Sequence, residues 1–163
     1  MLLLTGCALL GGQAEREKIY GTAIPAITEV FASKQVSSGE NWRVYINASD
    51  ADGDMDQINF SIDQPGVFPA YPTAYTKVAQ DQPKNLSGYI YLNTSGLERS
   101  INITLTLHIW DKAGHFSAPA WFPVSIVGAS QQQKEIRQED PPRGIFQDKS
   151  LGPIMIVLHS DVG

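Results

Sequence analysis

Ile101-Asn102-Ile103-Thr104-Leu105-Thr106-Leu107-His108-Ile109-Trp110 places an aliphatic side chain at every odd position and a polar or aromatic one at every even position. Successive side chains of a β-strand point to opposite sides, so this run buries Ile101, Ile103, Leu105, Leu107 and Ile109 on one face. Wound as a helix, the same aliphatic residues would be spread around the whole circumference. The reading is therefore a long strand with one dry face and one wetter face.

The same period recurs on both sides. Trp42, Val44, Ile46 and Ala48 alternate with Arg43, Tyr45 and Asn47, and Ile58, Phe60 and Ile62 alternate with Asn59, Ser61 and Asp63. Leu86, Gly88, Ile90 and Leu92 alternate with Ser87, Tyr89 and Tyr91, while Phe122, Val124 and Ile126 end the series. Ala26 to Phe31 reads as a weaker first strand. Turn residues separate the runs: Ser37-Ser38-Gly39, Ala51-Asp52-Gly53, Pro65-Gly66, Asn93-Thr94-Ser95-Gly96 and Lys112-Ala113-Gly114. About six or seven short strands with no helical period predict an all-β antiparallel sandwich.

The 163 residues accommodate one such domain with extensions at both ends. Residues 1–7 read as the remnant of a signal peptide, 8–24 as a flexible tether and 25–128 as the sandwich. Residues 129–163 read as a polar linker followed by a strand. The linker is polar from Gln131 to Asp140 and closes on Pro141-Pro142, after which Ile154-Met155-Ile156-Val157-Leu158 is strongly apolar. Ile154, Ile156 and Leu158 share one face, so this last segment is expected to pair with an edge of the sandwich. A net charge of -5, with 12 scattered lysines and arginines, excludes nucleic acid as the expected partner.

Leu4-Thr5-Gly6-Cys7 resembles the lipobox of bacterial lipoproteins, and Cys7 is the only cysteine of the chain. The resemblance implies acylation of Cys7, cleavage before it, and a membrane attachment that needs no spanning helix. Ala8 follows the cysteine where an aspartate would retain the protein at the inner membrane, so the expected address is the outer membrane. Only Met1 to Leu3 precede the box, which implies a start upstream of Met1 or a truncated leader.

Two further stretches resemble bacterial immunoglobulin-like domains of the PKD and cadherin-like kind. They are Ala48-Ser49-Asp50-Ala51-Asp52-Gly53-Asp54-Met55-Asp56 and Trp110-Asp111-Lys112-Ala113-Gly114-His115-Phe116-Ser117, with His115 where such hairpins usually carry Asn. This resemblance implies an immunoglobulin-like fold over residues 25 to 127 and leaves spacer, adhesin and binding roles open.

Candidate sites are few. Asp50, Asp52, Asp54 and Asp56 crowd four carboxylates into seven residues, either as a solvated turn or as oxygen ligands for calcium. The glycine at the fourth position and Ser61 at the twelfth rule out an EF-hand loop. Calcium is the one cofactor the sequence admits. Phe68, Tyr71 and Tyr75 lie in a proline-rich loop, either folded back on the domain or offered to a protein or glycan partner. His108, Asp111 and His115 fall near one hairpin, but His108 and Asp111 differ in strand parity. No nucleophile elbow, P-loop or dinucleotide fingerprint occurs, so the expectation is a non-enzyme. The functional expectation is an envelope lipoprotein presenting its sandwich for structural or protein-binding purposes. The rivals are a calcium-dependent adhesion or carbohydrate-binding module, and an accessory subunit of an envelope enzyme or secretion complex.

Overall fold

The computed structural model describes residues 12–131 and 136–159. An N-terminal helix α1 (Gln13–Tyr20) precedes β1 (Ala26–Ala32), β2 (Gln35–Ser37), β3 (Asn41–Ser49) and β4 (Met55–Asp63). There follow β5 (Ala74–Lys77), β6 (Asn85–Asn93), β7 (Ile101–Asp111), β8 (Ala120–Val127) and, after a long excursion, β9 (Ser150–Pro153).

The strands form two sheets, ordered β1-β3-β6-β9 and β2-β8-β7-β4-β5. Every pairing is antiparallel except β2 on β8 and β9 on β6. Consecutive strands β3 and β4 lie in different sheets, as do β6 and β7. That pattern, with β2 continuing from β1 but crossing to pair with β8 in the other sheet, is an immunoglobulin-like sandwich.

The period-two faces meet in the middle. Trp42, Val44, Ile46, Leu86, Ile90 and Leu92 come from one sheet; Ile58, Phe60, Ile103, Leu105, Leu107 and Ile109 come from the other. All are essentially inaccessible to water. The indole of Trp42 donates from Nε1 to the Ser33 carbonyl at 2.8 Å, so its burial leaves no unpaired donor.

One residue departs from its parity. Tyr45 points outward from β3 with Arg43 and Asn47, yet it is buried. Its ring packs against Phe31, Tyr89 and Phe146. Phe146 belongs to the C-terminal excursion, which crosses the outer face of β3: Gln138 bonds both Arg43 N and Asn41 O, and Ile145 O accepts from Asn47.

The excursion ends by closing the sandwich. β9 takes the fourth place of the first sheet, parallel to β6, and Thr76 on β5 donates to the Pro153 carbonyl at 3.0 Å. Ile154, Ile156 and Leu158 then enter the core with at most 8% exposure, while Met155 and Val157 face water. Strand structure ends at Pro153, one residue before a last bond to β6 from Ile154 N to Tyr91 O at 2.8 Å, so the segment expected to continue as a strand to Leu158 does so only at its start. The aliphatic face at the end of the chain is thus buried on its own domain.

At the other end, where the sequence suggested a flexible tether over residues 8–24, residues 13–20 are helical. The helix buries no residue and is held to the sandwich by polar contacts. Among the described residues no helix is long and apolar enough to cross a membrane.

Candidate functional site

The turn from β3 into β4 and the hairpin between β7 and β8 lie at the same end of the sandwich. One backbone bond and one side-chain bond join them: Lys112 N donates to Asp54 O at 3.1 Å, and the carboxylate Oδ2 of Asp54 accepts from Ala113 N at 3.3 Å. Gly53, at φ +75°, gives the β3–β4 turn the left-handed residue it requires.

Asp50, Asp54 and Asp111 converge here. One carboxylate oxygen from each lies within 4.8 Å of the others. Their residues are 2%, 6% and 5% exposed, respectively. Asp50 uses one oxygen to accept from Asp52 N at 3.2 Å. Asp50 Oδ2 and Asp54 Oδ1 are buried and have no hydrogen-bond partner. Burial, and then the neighbouring Asp54 carboxyl, push the Asp50 carboxyl up to about 6.

Asp111 is differently placed. Its Oδ1 accepts from Gly114 N and His115 N, both at 2.7 Å, and its Oδ2 lies 2.8 Å from His115 Nδ1. The other imidazole nitrogen of His115 reaches Glu17 Oε1 on α1 at 3.0 Å. Glu17 first and Asp111 second raise the His115 pKa, since both carboxylates favour the imidazolium. Arg16 Nε donates to Ala113 O at 3.0 Å, and Lys112 sits over the Tyr20 ring. The helix before the sandwich is therefore clamped onto the acidic end through His115.

Of the four clustered aspartates, the fold brings together only two. Asp52 turns outward and accepts from Ala23 N. Asp56 lies on β4, where it pairs with Lys77 Nζ at 2.7 Å. The third member, Asp111, comes from 55 or more residues away in sequence. Its signal was legible: it extends the odd parity of Ile101 to Ile109, which points inward. Glu17 and Arg16 carried no such signal, because α1 has no apolar face.

His108 does not join the site; its Nδ1 lies 3.0 Å from the Ser117 carbonyl, and its ring meets Phe116 edge-on. The aromatic loop divides. Tyr71 folds back, donating to Gln64 at 2.6 Å, accepting from His159 N and stacking on the His159 ring. Phe68 is almost fully exposed. Tyr75 lies on β5, whose register puts it beside Asn59 on the outer face of the five-stranded sheet.

That outer face carries further aromatics. Trp110, Phe116, Trp121 and Tyr75 are 44–64% exposed. The register places Trp121 beside Thr106, His108 beside Asn59 and Trp110 beside Gln57. Cys7 lies outside the described residues.

The topology defines the class: an immunoglobulin-like β-sandwich, here with its last strand in parallel at a sheet edge. No known family matches the chain, and no curated protein matches it. Among solved structures, it is similar to a CARDB domain from Pyrococcus furiosus described in complex with di-metal ions. The identity is 10% and the TM-score 0.32, over 65% of this chain and 88% of that one.

Proposed function

We propose that this chain is a non-catalytic envelope lipoprotein that presents its immunoglobulin-like domain to a protein partner. The supporting observation is the outer face of β8, β7, β4 and β5. Trp110, Phe116, Trp121 and Tyr75 stand there among short polar side chains, and no element of the described chain covers them. Exposed aromatics of this kind are costly to hydrate, and they are enriched where proteins meet. By contrast, the outer face of the other sheet is covered by the C-terminal excursion. The domain therefore offers one open side and keeps one closed.

The lipobox-like Leu4-Thr5-Gly6-Cys7 supports display at a membrane, on the outer membrane if Ala8 sorts it there. Oxidative footprinting of intact envelopes and of purified protein tests the reading. Protection of Trp110, Phe116 and Trp121 in envelopes, lost when lipid is kept and other proteins are stripped away, is the expected result. Equal modification of these residues in both samples would refute a protein partner on this face.

A further inference from the structure

We infer that Asp50, Asp54 and Asp111 form a binding site for a hard divalent cation, calcium ahead of magnesium. The inference stands apart from the lipid anchor and the aromatic face, so it can fail without touching either.

Three observations carry it. First, one oxygen of each carboxylate lies within 4.8 Å of the others. Oxygens on opposite sides of a calcium ion, each about 2.3–2.6 Å from it, stand about that far apart. Second, Asp50 Oδ2 and Asp54 Oδ1 are buried without any donor. A carboxylate oxygen removed from water and left unpaired is costly, and a bound cation satisfies two at once together with an oxygen of Asp111. Third, no lysine or arginine of the described residues pairs with Asp50 or Asp54. The nearby His115 offers its two nitrogens to Asp111 and Glu17.

The donor set selects the ion. It consists of carboxylate oxygens, and neither imidazole nitrogen of His115 is free. Oxygen-only sites suit calcium and magnesium rather than zinc or copper. Asp111 Oδ1 already accepts two hydrogen bonds, so its contribution falls to Oδ2, which faces only His115 Nδ1 and keeps a second lone pair. Water and nearby carbonyls would complete the six to eight oxygens that calcium takes. The alternative occupant is a proton shared between Asp50 and Asp54.

The full chain, stripped with chelator, is titrated with calcium and then with magnesium at neutral pH while backbone amide shifts and melting temperature are followed. Saturable binding of one calcium is expected, with a dissociation constant at or below about 1 mM. The largest shifts should fall on Asp52, Ala113, Gly114 and His115, and the melting temperature should rise. Asp54→Asn should weaken binding at least about tenfold, whereas the double variant Asp52→Asn, Asp56→Asn should keep it. No response up to about 10 mM calcium overturns the site in favour of the shared proton. Shifts centred on Asp56 and Lys77, binding indifferent to Asp54→Asn, or a preference for magnesium would also overturn the assignment. Should Asp54→Asn fail to fold, the shift map of the unmodified chain decides.

Discussion

Asp50 shows how a single side chain couples stability to solution conditions. Its carboxyl is raised from 3.8 to about 6, so the folded chain holds this proton more tightly than the unfolded chain does. The stabilisation is complete below the ordinary carboxyl value and is lost as pH rises through about 6. The groups facing it are Asp54 from the same turn and Asp111 from β7, with His115 and Glu17 one contact further out. In chelator, Asp50→Asn should therefore melt higher than the unmodified chain at pH above 6 and lose that advantage near pH 4. An equal difference at both pH values would show that ionisation of Asp50 is not the cause. The core behaves more simply. Leu105 is fully buried and Thr104 is not, so Leu105→Ala should cost about 2–5 kcal/mol and Thr104→Ala well under half of that. Equal melting of the two variants would contradict the parity of β7. That parity was legible in the sequence because each odd residue from Ile101 to Ile109 is aliphatic. Asp111 continued the same parity, but its acidic side chain gave no hint of which carboxylates it would meet. Convergence of residues so far apart is a property of sheet topology, and residue spacing does not encode it.

Among the elements, the six longer strands were readable, whereas the short β2 and β5, read as turn and proline-rich loop, and the two terminal segments were less so, for different physical reasons. A half-buried strand writes its burial into a period of two. Helix α1 buries nothing, so no period marks it, and its hold on the domain comes from Glu17, Arg16 and Lys112. The C-terminal excursion crosses β3 with a mixture of polar Gln138 and apolar Ile145 and Phe146 that carries no period, and Tyr45, a tyrosine of the wetter parity that is nonetheless buried, is the β3 residue it covers. Two predictions belong here. His115 is raised above its ordinary 6.5, so its grip on Glu17 is complete below that value and is lost as pH climbs through the raised one. A spin label at the exposed Ile19, in a Cys7→Ala background, should become more mobile as the solution is made alkaline. With Glu17→Gln it should be mobile at every pH, and immobility of that variant would assign the docking to Arg16 alone. The second concerns β9. A methyl group at Gly88 would run into the Lys149 carbonyl and the Leu151 side chain. Gly88→Ala should accordingly displace β9, costing about 1–3 kcal/mol, and should speed amide exchange of Gly152 and Ile154 far more than that of β7. Uniform acceleration throughout the domain would mean that β9 and the core open as one unit.

At the scale of the whole molecule, the two ends of the chain leave opposite marks on the sandwich. Burying Ile154, Ile156 and Leu158 is worth about 1.5–3 kcal/mol each, which makes the C-terminal segment a structural part of the domain. The N-terminal helix contributes no apolar burial, and its contacts all fall on the acidic end. If Cys7 carries the lipid, the stretch from Cys7 to Gln13 spans at most about 20 Å of extended chain. Docked α1 then holds the acidic end close to the bilayer and leaves the aromatic sheet face turned sideways, open to a neighbouring protein. On that proposal anchorage and orientation would be separable, the lipid supplying the first and the Glu17–His115 and Arg16–Ala113 contacts the second. Cys7→Ala should move the protein from the membrane to the soluble envelope fraction. The double variant Arg16→Ala, Glu17→Ala should stay in the membrane fraction, yet a protease should reach its segment 21–25 much faster. A Cys7→Ala protein that remains with the membrane would sink the lipid anchor. An Arg16→Ala, Glu17→Ala protein that leaves the membrane would show that the helix, and not the acyl chains, makes the attachment.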